Sequence, residues 1–317
     1  MPHTDSAKRP DVEVVTAAVV DGTVAIGDVA DPPVPWWSFT KTVLAAAALV
    51  LVDAGRLTLE TPLAGQRYTL RQLLQHRAGV PDYGSLADYH DAVASGHSPW
   101  PASELIDRVY KHARGAEPGT SWTYSNVGYL FVRQLIEHAE GKEIGEALTR
   151  LVLMPLGIAN AGLARAPDDL TGTRWGNARR YHPGWVYHGL MIGSPAAAAL
   201  LLDRLLRGDL LSPASLHAMR ESFRLGEPIP GRPWQAAGYG LGLMIETTTP
   251  PRFMGHTGGG PSSTAAVYHF AAPGAAVTAS AFWPCDDPGP VEQRVVDIAR
   301  AIAAGDDACA VSGGRTK

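Results

Sequence analysis

Ser38 and Lys41 stand three residues apart in PWWSFTKTVLAAAALVLVDAGRL, a hydroxyl and an amine at the head of an apolar run. On a helix, side chains at that spacing are neighbours. If burial lowers the amine from its usual pKa of about 10.4, it can take the hydroxyl proton and leave the serine nucleophilic. Pro35, Trp36 and Trp37 precede the run and Gly55 ends it, so the pattern predicts a helix that starts at the serine. Exposed N–H groups and the positive end of the helix dipole would favour an oxyanion there. A serine capping a core helix explains Ser38 equally well, but not the lysine beside it.

Two further groups carry chemistry. Tyr124-Ser125-Asn126 follows Glu117-Pro118-Gly119-Thr120 and opens an amphipathic stretch. The tyrosine can act as a general base if nearby cations lower its pKa from about 10, and the asparagine offers an amide donor and acceptor. As a bare motif it is also a good helix cap. His256-Thr257-Gly258-Gly259-Gly260 ends a β-rich segment; its glycines let a substrate approach the backbone, although a plain glycine-rich turn fits the same residues. The chain has no G-x-S-x-G elbow, no H-E-x-x-H helix and no G-K-[ST] loop, which argues against an α/β-hydrolase, a zincin or a phosphate cradle.

The elements that must position these groups come from both ends of the chain. Val12 to Val29 reads as two strands around the hairpin signal Asp21-Gly22. Helical periodicity recurs over 69–76, 102–113, 126–140 and 143–152. Residues 165–193 carry Trp175, Tyr181, Trp185 and Tyr187 without a regular pattern, the kind of side chains that line pockets. Ser194-Pro195 starts a helix over 195–207, strands return near 238–247, 251–256, 263–270 and 275–283, and a helix over 290–303 closes the chain. The expectation is an α+β fold: an antiparallel sheet built from both chain ends with flanking helices, plus a mainly helical inserted domain. Residues 10–58 and 194–305 form the sheet domain, 59–193 the insertion, and 1–9 and 306–317 read as disordered tails.

With 317 residues, 45% of them hydrophobic, the chain can bury a large core. Its net charge of −4 and scattered Lys and Arg exclude a basic stripe for nucleic acid. Cys285 and Cys309 are its only cysteines, too few for a disulfide framework or a cysteine zinc site. The longest apolar stretch, Thr42 to Ala54, falls short of the roughly 20 residues that span a bilayer. The polar start MPHTDSAKRPDVEVV lacks the features of a secretory signal, so the expected location is cytoplasmic.

S-x-x-K, Y-S-N and H-T-G in this order resemble the class C β-lactamase and D-alanyl-D-alanine carboxypeptidase family of serine hydrolases, which includes esterases and amidases. The similarity also takes in LTLETPLAGQRYTLRQLLQHRAGVPDYG, PGTSWTYSNVGYLFVRQLIEHAEGK, LVLMPLGI and YGLGLMIE leading to MGHTGGGPSS, from about Val15 to Trp283. It implies the β-lactamase/transpeptidase-like fold. It further implies that Ser38 is acylated, that Lys41 helps deprotonate it, and that Tyr124 is the general base serving leaving group and water. The oxyanion would be held by the N–H groups of Ser38 and Gly259, and the substrate by Asn126, His256, Thr257 and Gly258, with no metal or organic cofactor.

Three departures from the family pattern stand out, and two of them carry consequences. Ser38 lies nearer the chain start than the family pattern, which implies a trimmed N-terminal region and a more open cleft. His76-Arg77-Ala78-Gly79 replaces the usual small hydroxyl residues. His256 stands where β-lactamases carry lysine, and a histidine with a pKa near 6.5 attracts a substrate carboxylate weakly at pH 7. The expected function is therefore an acyl-enzyme serine hydrolase acting on small esters or amides, with little or no lactam turnover. A true β-lactamase or D,D-carboxypeptidase, or a module of the same fold that binds without turnover, are the alternatives.

Overall fold

The structure, a computed structural model, describes residues 14–175, 181–248, 253–261, 263–272 and 275–305. The two tails expected at 1–9 and 306–317 lie outside these residues. Asp21 and Gly22 have φ of 48° and 86°, the left-handed pair that a two-residue hairpin turn needs. Accordingly β1 (Val15–Val20) folds back on β2 (Thr23–Ile26). A small sheet that the sequence pattern does not announce joins β3 (Val34–Pro35), β4 (Ala161–Ala164) and β5 (Leu190–Gly193) in the order β3-β5-β4. The remaining strands are β6 (Phe223–Arg224), β7 (Ala237–Tyr239), β8 (Met244–Glu246), β9 (Met254–Gly260), β10 (Ser263–Ala272) and β11 (Ala275–Trp283). With β1 and β2 they form one eight-stranded antiparallel sheet, β2-β1-β11-β10-β9-β8-β7-β6, in which the first hairpin pairs with the last strand. Both chain ends thus build the sheet.

Nine α-helices are seen among the described residues. Helix α1 (Thr40–Asp53) is apolar all round and almost wholly buried, as a central core helix must be. The helical block contains α2 (Leu70–Leu74), α3 (Ala87–Ala94), α4 (Ala102–His112), α5 (Asn126–Glu140) and α6 (Ile144–Leu148). Helix α5 has the bounds expected because Ser125 Oγ accepts from Gly128 N at 2.9 Å and Gly141 closes the far end with φ of 64°. The single helix expected over 143–152 instead becomes α6 and a π turn, Thr149–Leu153. Helix α7 (Pro195–Arg207) likewise starts on Ser194, whose hydroxyl accepts from Ala197 N at 3.1 Å. Then come α8 (Pro213–Arg220) and α9 (Pro288–Ala303). Helices α3 and α8, eight residues each, are absent from the sequence expectation; no side chain caps α3, whereas Ser212 caps α8 as Ser194 caps α7.

Alternation along the strands divides the core in two. Val19, Ala265, Val267 and Phe282 share a cluster with α1 and α7, whereas Ala18, Ala266, Tyr268, Ala279 and Ala281 pack with Val291, Val295 and Ile298 of α9. The stretch expected as one strand over 238–247 is broken between β7 and β8. There Gly242, at φ of 71°, turns against α1 and its carbonyl accepts from Thr42 Oγ1 at 2.7 Å. Strand β9 starts at Met254 rather than at 251, and residues 251 and 252 lie outside the described part.

Candidate active site

Ser38 sits on a 3₁₀ turn, Trp37–Phe39, and α1 begins at Thr40 with Phe39 as its cap residue. The serine is therefore not the helix cap the sequence suggested; it stands just ahead of the first turn, exposed enough to react. Trp37 takes a φ of 46° to present it, a left-handed conformation that costs a non-glycine residue on the order of 1–2 kcal/mol.

Lys41 is fully buried. Its Nζ lies 3.1 Å from Ser38 Oγ, 2.8 Å from Asn126 Oδ1 and 3.3 Å from His188 Nε2. Burial drags the amine down to about 7, against the pull of the Asp82 carboxylate, so close to half of it is uncharged at neutral pH. This is the condition under which a lysine takes a proton from a serine.

Tyr124 departs from expectation. Burial pushes its phenol well above the ordinary value, and only the hydrogen bond with Ser38 works against the rise. The nearby amine, 4.9 Å from the ring centroid, does not make it acidic. A neutral phenol is a proton donor, so of the two candidate bases Lys41 is the one poised near pH 7. Beneath the ring lies His76, buried, at φ of 57°, with centroids 4.3 Å apart. Its Nδ1 accepts from Ser125 N at 3.1 Å, which fixes the loop that carries Tyr124.

Asn126 is committed at both ends. Its Oδ1 faces Lys41, its Nδ2 donates to Asp82 Oδ2 at 3.1 Å, and its backbone N–H donates to Asp82 Oδ1 at 2.7 Å. It positions the lysine as well as bordering the cleft. His256 lines the 500 Å³ lobe, but both of its ring nitrogens are engaged by the protein. Nδ1 lies 2.6 Å from the Thr257 carbonyl, which can only accept, so it carries the proton; Nε2, 2.8 Å away, accepts from the Tyr239 hydroxyl. Burial and the Lys41 charge lower this imidazole to about 3, and it stays neutral. The Thr257 hydroxyl is held by Tyr268 and the buried Glu292.

Strand β9 forms one wall. A Cβ on Gly258 would lie 2.6 Å from Ser38 N, and one on Gly260 would meet the Trp37 ring at 2.4 Å; only glycine permits this approach of strand to serine. Pairing with β8 stops at Gly255, so among the described residues no further strand covers the edge of β9 that carries Gly259. Two lobes open on either side of Ser38. One, about 500 Å³, is lined by Trp122, Leu225, Ile229, Met244 and Thr257; the other, about 610 Å³, by Trp37, Tyr83, Tyr89, Asn126 and Tyr181.

A family model described as Beta-lactamase matches residues 13–288, most of the chain. The chain belongs to the β-lactamase family. Among curated relatives, a D-aminopeptidase of Brucella anthropi is 28% identical over 199 residues, 62% of this chain and 38% of that protein. Penicillin-binding protein 4* of Bacillus subtilis is 28% identical over 130 residues, 38% of this chain and 28% of that protein. The matched part thus spans well under half of these relatives. A solved D-amino acid amidase from Ochrobactrum anthropi SV3, complexed with L-phenylalanine amide, shares the fold at a TM-score of 0.75 and 21% identity, covering 93% of this chain and 95% of its own. A penicillin-binding protein from Bacillus halodurans does so at 0.70 and 17%, covering 90% and 96%.

In this β-lactamase-family chain, the sequence pattern gives no role to Asp82, His188 or Tyr239, and marks His76 only as part of a departure from the family pattern. Asp82 lies near the end of the quoted stretch LTLETPLAGQRYTLRQLLQHRAGVPDYG, and His188 lies in the aromatic stretch 165–193 already marked as pocket-lining. Nothing local tells either residue that it will face Lys41 or Asn126. Among the described residues no helix is long and apolar enough to cross a membrane.

Proposed function

We propose that this protein is a serine hydrolase that cleaves small amides and esters through an acyl-enzyme on Ser38. The observation that carries the proposal is the fully buried Lys41 amine, lowered to about 7, 3.1 Å from Ser38 Oγ. In this mechanism neutral Lys41 takes the Ser38 proton as Oγ attacks the carbonyl carbon. The N–H groups of Ser38 and Gly259 receive the oxyanion, worth roughly 3 kcal/mol per donor. Tyr124 gives its proton to the departing amine or alkoxide and recovers one from Lys41. Water then attacks the ester on Ser38, and the same groups pass protons in reverse, releasing the acid and free serine.

The named activities of the relatives, D-aminopeptidase and D-amino acid amidase, favour amides as substrates. Neutral His256 supplies no cation for a lactam carboxylate, which supports weak lactam hydrolysis. The test is hydrolysis of a short-chain p-nitrophenyl ester and of amino acid p-nitroanilides beside a chromogenic cephalosporin. Wild type and Ser38→Ala are compared, with intact-mass detection of the acyl adduct. Ser38-dependent ester and anilide turnover that outpaces the cephalosporin is expected; full activity in Ser38→Ala refutes the mechanism.

A further inference from the structure

Asp82 lies in the loop between α2 and α3 and meets the first residue of α5 across 44 positions of sequence. Its Oδ1 accepts the Asn126 backbone N–H at 2.7 Å, and its Oδ2 accepts from Asn126 Nδ2 at 3.1 Å and from Gly84 N at 3.1 Å. One carboxylate thus holds the main chain and the side chain of the same residue. The backbone contact also sets negative charge at the start of α5, where the helix dipole favours it.

The side-chain contact has a directional consequence. A primary amide has one accepting end and one donating end. The oxygens of a carboxylate only accept, so the end of Asn126 that meets Asp82 is the donating one. The accepting end, Oδ1, is thereby turned to Lys41 Nζ, 2.8 Å away. With the amide reversed, Asn126 would offer a donor to the amine. That donor would compete with Ser38 Oγ, 3.1 Å from Nζ, for the lone pair that has to take the serine proton.

The charge of Asp82 acts on the same amine. Of the titratable groups around Lys41, His76, His188 and His256 are lowered by burial, and Tyr124 and Tyr129 are raised by it, so each is neutral near pH 7. Among the described residues Asp82 is the charged group that pulls on the amine, and it opposes the fall that burial causes.

We infer that Asp82 is a positioning residue for the base: it locks the Asn126 amide with its oxygen toward Lys41 and so aims the lone pair of the amine at Ser38. The inference rests on the proposed hydrolase reading for the role of the lysine, but the state of the amine can be measured apart from turnover.

The experiment compares wild type, Asp82→Asn, Asn126→Asp and the pair Asp82→Asn/Asn126→Asp. Asp82→Asn sets a donor against the donating end of Asn126, and Asn126→Asp sets two carboxylates face to face. In the pair the introduced amide donates to the introduced carboxylate, whose other oxygen accepts from Lys41, so the original pattern returns with the charge moved. Steady-state hydrolysis of p-nitrophenyl acetate across pH gives kcat and the acid limb. Carbon-13 NMR of lysine-labelled protein gives the titration midpoint of Lys41, its signal assigned by loss in Lys41→Met. Expected are a fall in kcat of about tenfold or more in each single variant, and an acid limb and midpoint moved to lower pH in Asp82→Asn. The pair should exceed the product of the single effects by about tenfold or more, with its acid limb moved to higher pH. An acid limb and midpoint left at wild-type values in Asp82→Asn overturn the inference whatever happens to kcat, and so does a pair no more active than that product; Ser38-dependent turnover then leaves the hydrolase reading intact. Midpoints that move as expected in a protein without turnover support the inference and refute the hydrolase reading. If Asp82→Asn does not fold, the pair set against Asn126→Asp decides: higher kcat in the pair supports the inference, and equal or lower kcat overturns it.

Discussion

The Lys41 amine lies 3.3 Å from Nε2 of His188, a residue 147 positions further along the chain. A neutral amine has two hydrogens and one lone pair. Asn126 Oδ1 at 2.8 Å and His188 Nε2 accept the two hydrogens, which leaves the lone pair to face Ser38 Oγ. This needs the imidazole proton on Nδ1, an atom that is buried and finds no partner among the described residues. The arrangement fixes the direction of the base and not only its pKa.

His188→Leu removes one of the two acceptors. The expected result is a fall in kcat of about tenfold with KM little changed, since the residue acts on the lysine and not on the substrate. An acceptor that binds an ammonium favours the charged form, so its loss should also move the acid limb of the pH profile to lower pH. His188→Gln, which keeps an acceptor, should recover most of the activity. Steady-state hydrolysis of p-nitrophenyl acetate across pH checks all three.

Lys41 sets a pH dependence of activity and of stability. The amine must be uncharged to accept the serine proton, so kcat/KM should rise with pH through a midpoint near 7. For stability, the folded pKa lies below the unfolded value of about 10.4. Below pH 7 both states are protonated and the folded state bears the full cost of a buried charge. Between about 7 and 10.4 the unfolded state binds more protons, so stability rises with pH. Lys41→Met should therefore stabilise the fold by a few kcal/mol at pH 6 while abolishing turnover, with the gain shrinking toward pH 10. Urea unfolding at several pH values measures it.

Gly258→Ala places a methyl group 2.6 Å from the backbone nitrogen of Ser38. Strand and serine must separate, and the gap between the Ser38 and Gly259 N–H groups changes with them. A loss of about a hundredfold or more in kcat is expected, alongside a far-UV circular dichroism spectrum that stays native. Full activity in this variant would show that the approach of β9 to Ser38 is not needed.

Glu292 is fully buried and accepts from Arg232, Trp234, Tyr268 and Thr257. Glu292→Gln leaves the Arg232 guanidinium without its counter-charge and turns an acceptor into a donor toward two of these groups. Breaking such a pair costs roughly 3–5 kcal/mol, which should appear as a lowered urea midpoint. Because Arg232 is thereby freed into the 500 Å³ lobe, binding of carboxylate-bearing ligands should improve, and a fluorescence titration with N-succinylalanine amide reads it.

Much of the fold is local chemistry and could be read in order along the chain. Ser194 and Ser125 cap the starts of α7 and α5 through hydrogen bonds to residues three positions on, and Gly208 and Gly141 close their ends through bonds to residues three or four positions back. Asp21-Gly22 turns the first hairpin by backbone preference alone. The β3-β5-β4 sheet and α3, which no side chain caps, left no comparable signal, whereas the Ser212-Pro213 start of α8 repeats that of α7 and was passed over.

At the site the division is sharper. The sequence by itself marked Ser38 and Lys41 as the candidate reactive pair, singled out the Y-S-N and H-T-G groups, and determined the family to which the chain belongs. Only the tertiary structure decided which groups are charged and which way they point. Burial, a property of neighbours brought in from distant positions, lowered Lys41, raised Tyr124 and kept His256 neutral. Asp82 and His188 became partners of the site through contacts across 44 and 147 residues. Spacing along a chain fixes what is adjacent on one helix; desolvation and hydrogen-bond direction exist only once the distant segments have packed.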